Sequence, residues 1–330
     1  MIKVKFSHNF KNWPLERQLP NSFRTFGDCE FYINKNIKEC DYWFIFDNVS
    51  EPDQTMCSRE NIVLITAEPP DIKSYDDDFI KQFTSVITCH SNIYSENVIK
   101  SQQGQPWFVG YDLSSKKVEK NYNDLIKSNP AKEKLISVIT SIKSVTDGHR
   151  KRYDFVMKLK EYFGDKIDIY GQGINNINDK WDAIAPYKYH IAIENTSIED
   201  YWSEKIADSY LGGAYPLYYG CTNIDKYFSP ESYSLIDIND FEKSVQIILN
   251  VIENNLYEKR VQNIYQAKDL ILNKYNVFAL INEYIQNQPV TNKNKSKLII
   301  YPEYFPCEKR NEFEKFKHKP IKYILDKIGL

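Results

Sequence analysis

Residues 194 to 206, ENTSIEDYWSEKI, set a carboxylate, an amide, two aromatics and a Glu-Lys pair around what reads as a helix start. A helix start leaves backbone N–H groups without intrahelical partners and carries partial positive charge, so it draws anions such as phosphate. Lys205 adds a full positive charge there. Glu204 in the first turn suits the dipole, and its carboxylate can also accept from vicinal ribose hydroxyls. Asn195 closes an apolar run and can donate its amide to a phosphate oxygen, while Tyr201 offers a hydroxyl or a ring face. Together these residues describe a pocket for a nucleoside diphosphate. A Glu-Lys pair at a helix start is also ordinary surface chemistry, so the reading rests on the group and not on the pair.

The elements that must position this group read as alternating strands and helices. In the first half, IKVKFS, DYWFIFD, NIVLITAE and TSVITC are apolar runs of strand length that end at polar or turn residues. Such runs with helical spacers predict a mainly parallel sheet covered on both faces. Residues 111 to 134 are polar and lysine-rich and read as a connection. The pattern then restarts. KLISVITS, KIDIYGQG, YKYHIAIEN, GAYPLYYG and SYSLIDIN read as strands, HRKRYDFVMKLKEYFG as a helix stopped by Gly164, and residues 202 to 211 as a second helix. DFEKSVQIILNVIEN reads as a third helix with Asp240 as its N-cap. The expected fold is therefore α/β, with two Rossmann-like domains facing a central cleft: residues 1–134, residues 135–286 and a basic tail, 287–330. In open α/β sheets ligands sit beyond the carboxyl ends of the strands, which is where Asn195 falls.

Bulk properties exclude several classes. The chain has 330 residues and a net charge of −2, without the positive excess that whole-protein binding to nucleic acid requires. Six scattered cysteines with no CxxC pair fit reduced thiols better than a disulfide frame or a zinc site, and the five histidines show no metal spacing. The start, MIKVKFSHNF, reads as neither signal peptide nor anchor, and no run approaches eighteen apolar residues, so a cytoplasmic protein is expected. The tail from 291 carries ten Lys/Arg against five Asp/Glu and reads as a solvated face, with weak peripheral attachment to the inner face of an anionic membrane as the alternative. Its Tyr301, Tyr304, Phe305 and Phe313 are expected to pack back onto a domain. Asp-x-Asp within residues 76–78 has the spacing of a metal-held diphosphate, yet its setting predicts a helix N-terminus or a solvated loop, and no metal is expected. GQGINN at 171–176 fails the dinucleotide pattern because Asn176 stands where the third glycine belongs.

The stretch YKYHIAIENTSIEDYWSEKIADSYLGGAYPLYYG resembles the donor-binding motif of the α-1,3-fucosyltransferases, glycosyltransferase family 10. The matching positions are Ile193-Glu194-Asn195-Thr196, Tyr201, Ser203-Glu204-Lys205, Gly213, Pro216 and Gly220, with the ten-residue step from Asn195 to Lys205 found in bacterial members. RYDFVMKL followed by IDIYGQG is similar to the family's Arg-x-x-Phe helix and its following turn, and SYSLIDINDFEKSV continues the likeness, so residues 140 to 250 are covered. The first half resembles the family only patchily.

The resemblance implies a GT-B fold and an inverting transfer of L-fucose from GDP-fucose to an acceptor glycan. It implies Arg152 as the arginine aimed at the donor phosphates, with Arg150 as the fallback register and His149 and Glu194 as lesser contacts. Arginine suits that task because its planar fork pairs two phosphate oxygens and stays charged. The family's base lies in an N-terminal loop after a strand. Glu68, before Pro69 and Pro70, is the matching carboxylate, with Pro69 in place of the usual Ser and Asp71 as a competitor. The partners implied are a nucleotide sugar and an acceptor oligosaccharide or lipid-linked glycan of a bacterial surface polysaccharide or lipopolysaccharide. The alternatives are another GDP-activated sugar of heptose or mannose type, and a non-catalytic carbohydrate-binding protein on a decayed transferase fold. Decay would be expected to have removed one of Arg152, Asn195, Glu204 or Lys205, and all four are present. A nucleotide-dependent oxidoreductase is disfavoured by the broken glycine pattern.

Overall fold

The computed structural model describes residues 1–11, 13–20, 24–142, 147–288 and 294–306. Its first seven-stranded sheet draws on β1 (Ile2–His8), β2 (Thr25–Phe26), β3 (Cys29–Ile33) and β4 (Tyr42–Phe46). A separate strand, β5 (Asp53–Cys57), follows, and β6 (Ile62–Ile65), β7 (Ser85–Thr88) and β8 (Asn97–Lys100) complete the sheet in the order β2-β3-β1-β4-β6-β7-β8. All pairs are parallel except β2 with β3. The continuous apolar character of Ile62-Val63-Leu64-Ile65 follows from this: a central parallel strand is covered on both faces, and all four residues are fully buried.

The second sheet is smaller and wholly parallel. After a two-stranded ribbon of β9 (Tyr111–Asp112) and β10 (Lys117–Val118) come β11 (Lys134–Ile139), β12 (Ile167–Tyr170), β13 (Tyr187–Ile193), β14 (Tyr215–Tyr219) and β15 (Ser234–Leu235). The last five form a sheet in the order β12-β11-β13-β14-β15. The chain leaves β11 toward one side and returns to build on the other, so the order reverses between β11 and β13. Such a reversal opens a crevice at the carboxyl ends of the two strands.

The helices are α1 (Asp77–Ile80), α2 (Tyr122–Lys127), α3 (Asp147–Phe163), α4 (Lys180–Ile184), α5 (Glu204–Leu211), α6 (Phe241–Glu253), α7 (Leu256–Asn273) and α8 (Val277–Gln286). Phe155, Val156, Leu159 and Phe163 make the buried stripe of α3, and Val245, Ile248 and Val251 that of α6, each at helical spacing. Asp240 caps α6 by accepting from the Lys243 N–H, as its position suggested. The Asp-x-Asp stretch is a helix N-terminus: Asp76 accepts from the Asp78 and Phe79 N–H groups. Among the described residues no group of histidines, cysteines and carboxylates could hold a metal ion, and no helix is long and apolar enough to cross a membrane.

The chain divides into two units whose boundaries interleave. One comprises Met1–Trp13, Arg24–Gln103 and the chain from Ile281 onward; the other comprises Pro14–Phe23 and Gly104–Leu280. Residues 104–134, which the sequence places with the first half, therefore belong with the second sheet. The tail contributes a strand: β16 (Ser296–Ile300) pairs antiparallel with β5 in the first unit. Tyr301 is buried beside Phe305, with ring centroids 5.3 Å apart, whereas Tyr304 is 73 % exposed and does not pack as expected. Phe313 and the rest of the basic tail lie outside the described residues.

Arg17 shows what holds Pro14–Phe23 to the second unit. Its guanidinium is buried and donates to the carbonyls of Val109 (2.9 Å), Lys120 (3.0 Å) and Trp107. Gln18 accepts from the Trp107 N–H at 3.2 Å, and its own carbonyl accepts from Asn276 at 2.6 Å. Burial lowers the Arg17 pKa to about 10, with Asp208 and Asp179 opposing, so the group stays charged. Arg17→Met should leave three carbonyls without a donor at roughly 1–3 kcal/mol each. A lowered denaturant midpoint for the second unit is the expected result, and an unchanged midpoint would show that the insertion contributes no stability.

Candidate active site

The crevice at the strand-order reversal holds a cavity of about 580 Å3 in the second unit. Its walls come from the carboxyl end of β11 (Ile139, Thr140, Ser141), from β13 (His190 to Ile193), and from Arg152 on α3, Lys180 on α4, and Glu204, Lys205 and Asp208 on α5. Leu113, Ile177 and Ile184 add apolar surface. This is a slot with one apolar flank and a dense row of charge.

Glu194 builds the charged side. It ends β13 with its side chain wholly buried, and it accepts from the Ser203 backbone N–H (2.8 Å) and from the Ser203 hydroxyl (2.9 and 2.7 Å). Ser203 is the N-cap of α5, so the helix begins at Glu204 rather than at Trp202 as the sequence pattern suggested. The Lys205 ammonium lies 3.2 Å from Glu194, 3.5 Å from Glu204 and 3.1 Å from the Ser203 hydroxyl. Burial pushes the Lys205 pKa down, but Glu194 and Glu204 outweigh it and the net shift is upward, so the ammonium is secure. Gly220 gives Glu194 its space: a Cβ there would stand 2.4 Å from Glu194 Cγ.

Arg152 reaches the same place from α3. It is buried and donates to Asn195 Oδ1 at 2.6 Å. Burial lowers its pKa, with Glu194 and Glu204 acting in the opposite sense. Gly148, one turn earlier, allows this approach, because a Cβ there would meet the Asn195 carbonyl oxygen at 2.1 Å. Glu204 pairs with Lys180 at 3.1 Å. Burial would raise its pKa, but Lys180 and Lys205 hold the carboxyl far below the ordinary range. Asp208, one turn along the same face, accepts from the Phe108 and Val109 N–H groups and lies 3.6 Å from Lys180. Its burial raises its pKa to about 6. His190 meets Ser137 across the β11–β13 pair at 2.8 Å, and burial lowers its pKa to about 3, leaving a neutral imidazole.

Three atoms of the cavity wall are buried without a hydrogen-bond partner: Arg152 Nε, Thr140 Oγ1 and Asp208 Oδ2. Buried polar groups are nearly always paired, so three around one cavity mark a place prepared for a polar ligand. Together the wall offers a guanidinium and an ammonium held side by side, carboxylates able to take hydroxyl protons, and an apolar flank for a flat ring.

Three residues expected from the sequence line the cavity, Arg152, Glu204 and Lys205, and Asn195 stands behind the wall as the acceptor of Arg152. Glu194 is a support, fully spent on Ser203 and Lys205. Tyr201 is buried and is not part of the cavity wall. Arg150 is exposed and pairs with Asp147 at 3.2 Å, and His149 beside it is half-buried outside the wall. Glu68 and Asp71 belong to the other unit, both exposed in the loop after β6. Lys180, Asp208 and Thr140 had no place in the sequence reading. Asp208 had a visible signal, the four-residue step from Glu204 along one helix face.

Residues 129–263 match the family model for glycosyltransferase family 10 (fucosyltransferase), C-terminal part. The chain is 25 % identical over 130 residues to an α-(1,3)-fucosyltransferase of Helicobacter pylori, which spans 36 % of this chain and 27 % of that protein. It is 28 % identical over 150 residues to α-(1,3)-fucosyltransferase B of Drosophila melanogaster, spanning 40 % of this chain and 32 % of that one. The matches thus cover about a third or less of these relatives. An α-glucosyltransferase solved in complex with UDP superposes with a TM-score of 0.51 at 7 % identity, covering 87 % of this chain and 100 % of that one, a likeness of fold. Two Rossmann-like units of the GT-B type, with all of the cavity wall but Leu113 and Ser114 inside the matched stretch, agree with both kinds of likeness. Over residues 129–263, within its second unit, this chain is similar to glycosyltransferase family 10.

Proposed function

We propose that the protein is an inverting glycosyltransferase that moves L-fucose from GDP-fucose to a hydroxyl of an acceptor glycan. The observation that carries the reading is the set of buried polar atoms without a hydrogen bond in one cavity wall, Arg152 Nε and Thr140 Oγ1 with Asp208 Oδ2 only in ion-pair range of Lys180, in the wall that also holds Lys205. The choice of donor draws on the family of residues 129–263 and on the names of the fucosyltransferases it resembles.

In this reading the diphosphate lies against Arg152, Asn195 and Lys205, and the ribose hydroxyls donate to Glu204. The acceptor oxygen bonds to the anomeric carbon from the face opposite the diphosphate. The carbon–oxygen bond to the β-phosphate breaks, and its electron pair leaves with GDP. Arg152 and Lys205 neutralise the charge that develops there, which calls for no metal ion. The acceptor proton passes to Glu68 as general base, with Asp71 as the competing carboxylate. The acceptor in this proposal is an oligosaccharide or lipid-linked glycan of a bacterial surface polysaccharide or lipopolysaccharide, and the reaction runs in the cytoplasm, at the inner face of the membrane if the basic tail binds lipid.

Calorimetric titration with GDP, UDP and CMP, and with GDP-fucose against GDP-mannose and a GDP-heptose, checks the donor. GDP is expected to bind best and GDP-fucose to be consumed. Preference for UDP or CMP removes the assignment, and turnover of another GDP-sugar alone replaces fucose. Arg152→Gln should weaken GDP binding about 10- to 100-fold, the worth of one charge-assisted hydrogen bond in a buried site. Lys205→Ala should lower both GDP affinity and melting temperature, because Glu194 loses its ammonium. Adding Glu194→Gln should recover the melting temperature and not the affinity; recovery of both would make the lysine structural. Glu68→Gln should leave donor binding intact and lower turnover by about a hundredfold or more, and near-normal turnover moves the base elsewhere.

A further inference from the structure

The loop that carries Glu68 is pinned from two sides by buried side chains of the first unit. Glu68 follows β6 and precedes Pro69 and Pro70, neither of which has an N–H to donate. The Glu68 carbonyl meets His90 Nε2 at 2.7 Å. A carbonyl can only accept, so Nε2 carries the hydrogen and His90 donates. Burial lowers the His90 pKa, which keeps the ring neutral and this tautomer in place. One residue earlier, the Ala67 N–H donates to the Tyr75 hydroxyl at 3.0 Å. That hydroxyl in turn donates to Asp47 Oδ1 at 2.6 Å.

Both anchors are themselves fixed. His90 is 1 % exposed, and its N–H donates to Thr88 Oγ1 at 3.0 Å. The same oxygen accepts from Thr66 at 2.9 Å, and Lys100 donates to the His90 carbonyl. The rings of Tyr75 and His90 pack edge to face with centroids 5.4 Å apart. Asp47 stands at the end of β4 with φ of 65°, a conformation rare for a residue with a side chain, and its N–H donates to the Ile65 carbonyl at 2.8 Å. Lys73 at 2.9 Å and the Asn9 amide at 3.3 Å also donate to its carboxylate. A run of hydrogen bonds thus joins the carboxyl ends of β4, β6 and β7 and ends on two consecutive backbone groups, the Ala67 N–H and the Glu68 carbonyl. The side chain between them, Glu68, is left exposed.

We infer that His90 and Tyr75 are positioning residues: they hold the backbone of Ala67 and Glu68 so that the Glu68 carboxylate is presented in one orientation for proton transfer. The inference rests on the reading of Glu68 as the base. Surface loops of this kind commonly leave their backbone to water, whereas this one is tied at the Ala67 N–H and at the Glu68 carbonyl by buried side chains. Neither anchor touches the transferred sugar in this scheme. Their effect runs through the geometry of the carboxylate, where a displacement of about 1 Å can cost on the order of a hundredfold in rate.

The test compares His90→Ala, His90→Gln, Tyr75→Phe and Glu68→Gln in the full chain, with GDP-fucose and a glycan acceptor. Binding of GDP is read by calorimetry, folding by melting, and turnover by kcat. His90→Ala should lower kcat at least ~10-fold with GDP affinity unchanged. His90→Gln, whose amide can donate to the same carbonyl, should recover most of that loss, which a purely structural role would not require. Tyr75→Phe should lower kcat in the same way, since it removes both hydroxyl bonds. If Glu68→Gln is inactive while His90→Ala and Tyr75→Phe turn over like the unaltered protein, the positioning inference is overturned and the base survives. If His90→Ala loses turnover and GDP binding together and His90→Gln recovers neither, the histidine is structural and the inference also fails. Full activity of Glu68→Gln overturns the base reading and this inference with it.

Discussion

A single buried carboxylate organises the candidate site. Glu194 closes a central strand, spends both oxygens on the N-cap of the following helix, and holds the Lys205 ammonium 3.2 Å away. A carboxylate taken out of water is costly unless paired and hydrogen-bonded, and here it is both. The strand end, the cap and the cation therefore form or fail together. The helix tip already carries an anion from its own chain, so a diphosphate would be met by the side chains that Glu194 sets in place more than by the tip's bare N–H groups.

The topology explains why this occurs where it does. The reversal between β11 and β13 opens a crevice at the carboxyl ends of these strands, with α3 following β11 and α5 following β13. Arg152 and Lys205 lie 53 residues apart in sequence and are brought to one wall by that arrangement. Close approach needs small residues. Gly148 lets α3 reach Asn195, and Gly220 leaves room for Glu194 under the end of β14. The glycine at 220 has a steric cause: any side chain there would press on the carboxylate that holds the lysine.

What the sequence revealed was short in range. Strands β1, β4, β6 and β7 of the first sheet, the five strands of the second, the stripe of α6, its cap at Asp240 and the placement of Asn195, Glu204 and Lys205 around one helix start all follow from spacings of a few residues, whereas β2, β3 and β8 were missed. The same window misjudged Glu194, whose role depends on how a strand end packs against Ser203, and it put the start of α5 two residues early. Lys180 and Thr140 were invisible because nothing local distinguishes a lysine or threonine that tertiary packing will bury, whereas Asp208 was signalled only by its four-residue step from Glu204. The interleaved units were equally hidden. Arg17 binds carbonyls some ninety to a hundred residues further along, a separation no periodicity encodes.

The charge balance of the wall has its own logic. Arg152, Lys180 and Lys205 stand against Glu194, Glu204 and Asp208, so the empty cavity is close to neutral and folding does not bury an excess of one sign. An unbalanced cluster of cations would bind a diphosphate strongly but would repel itself in the unliganded protein and leave its side chains mobile. Carboxylates hold Lys180 and Lys205 in place, and Asn195 holds Arg152, so little reorganisation remains when a ligand's charge arrives. Asp208, with its pKa raised to about 6, is the member whose charge is least secure. Taking up a proton there would shift the wall toward positive charge.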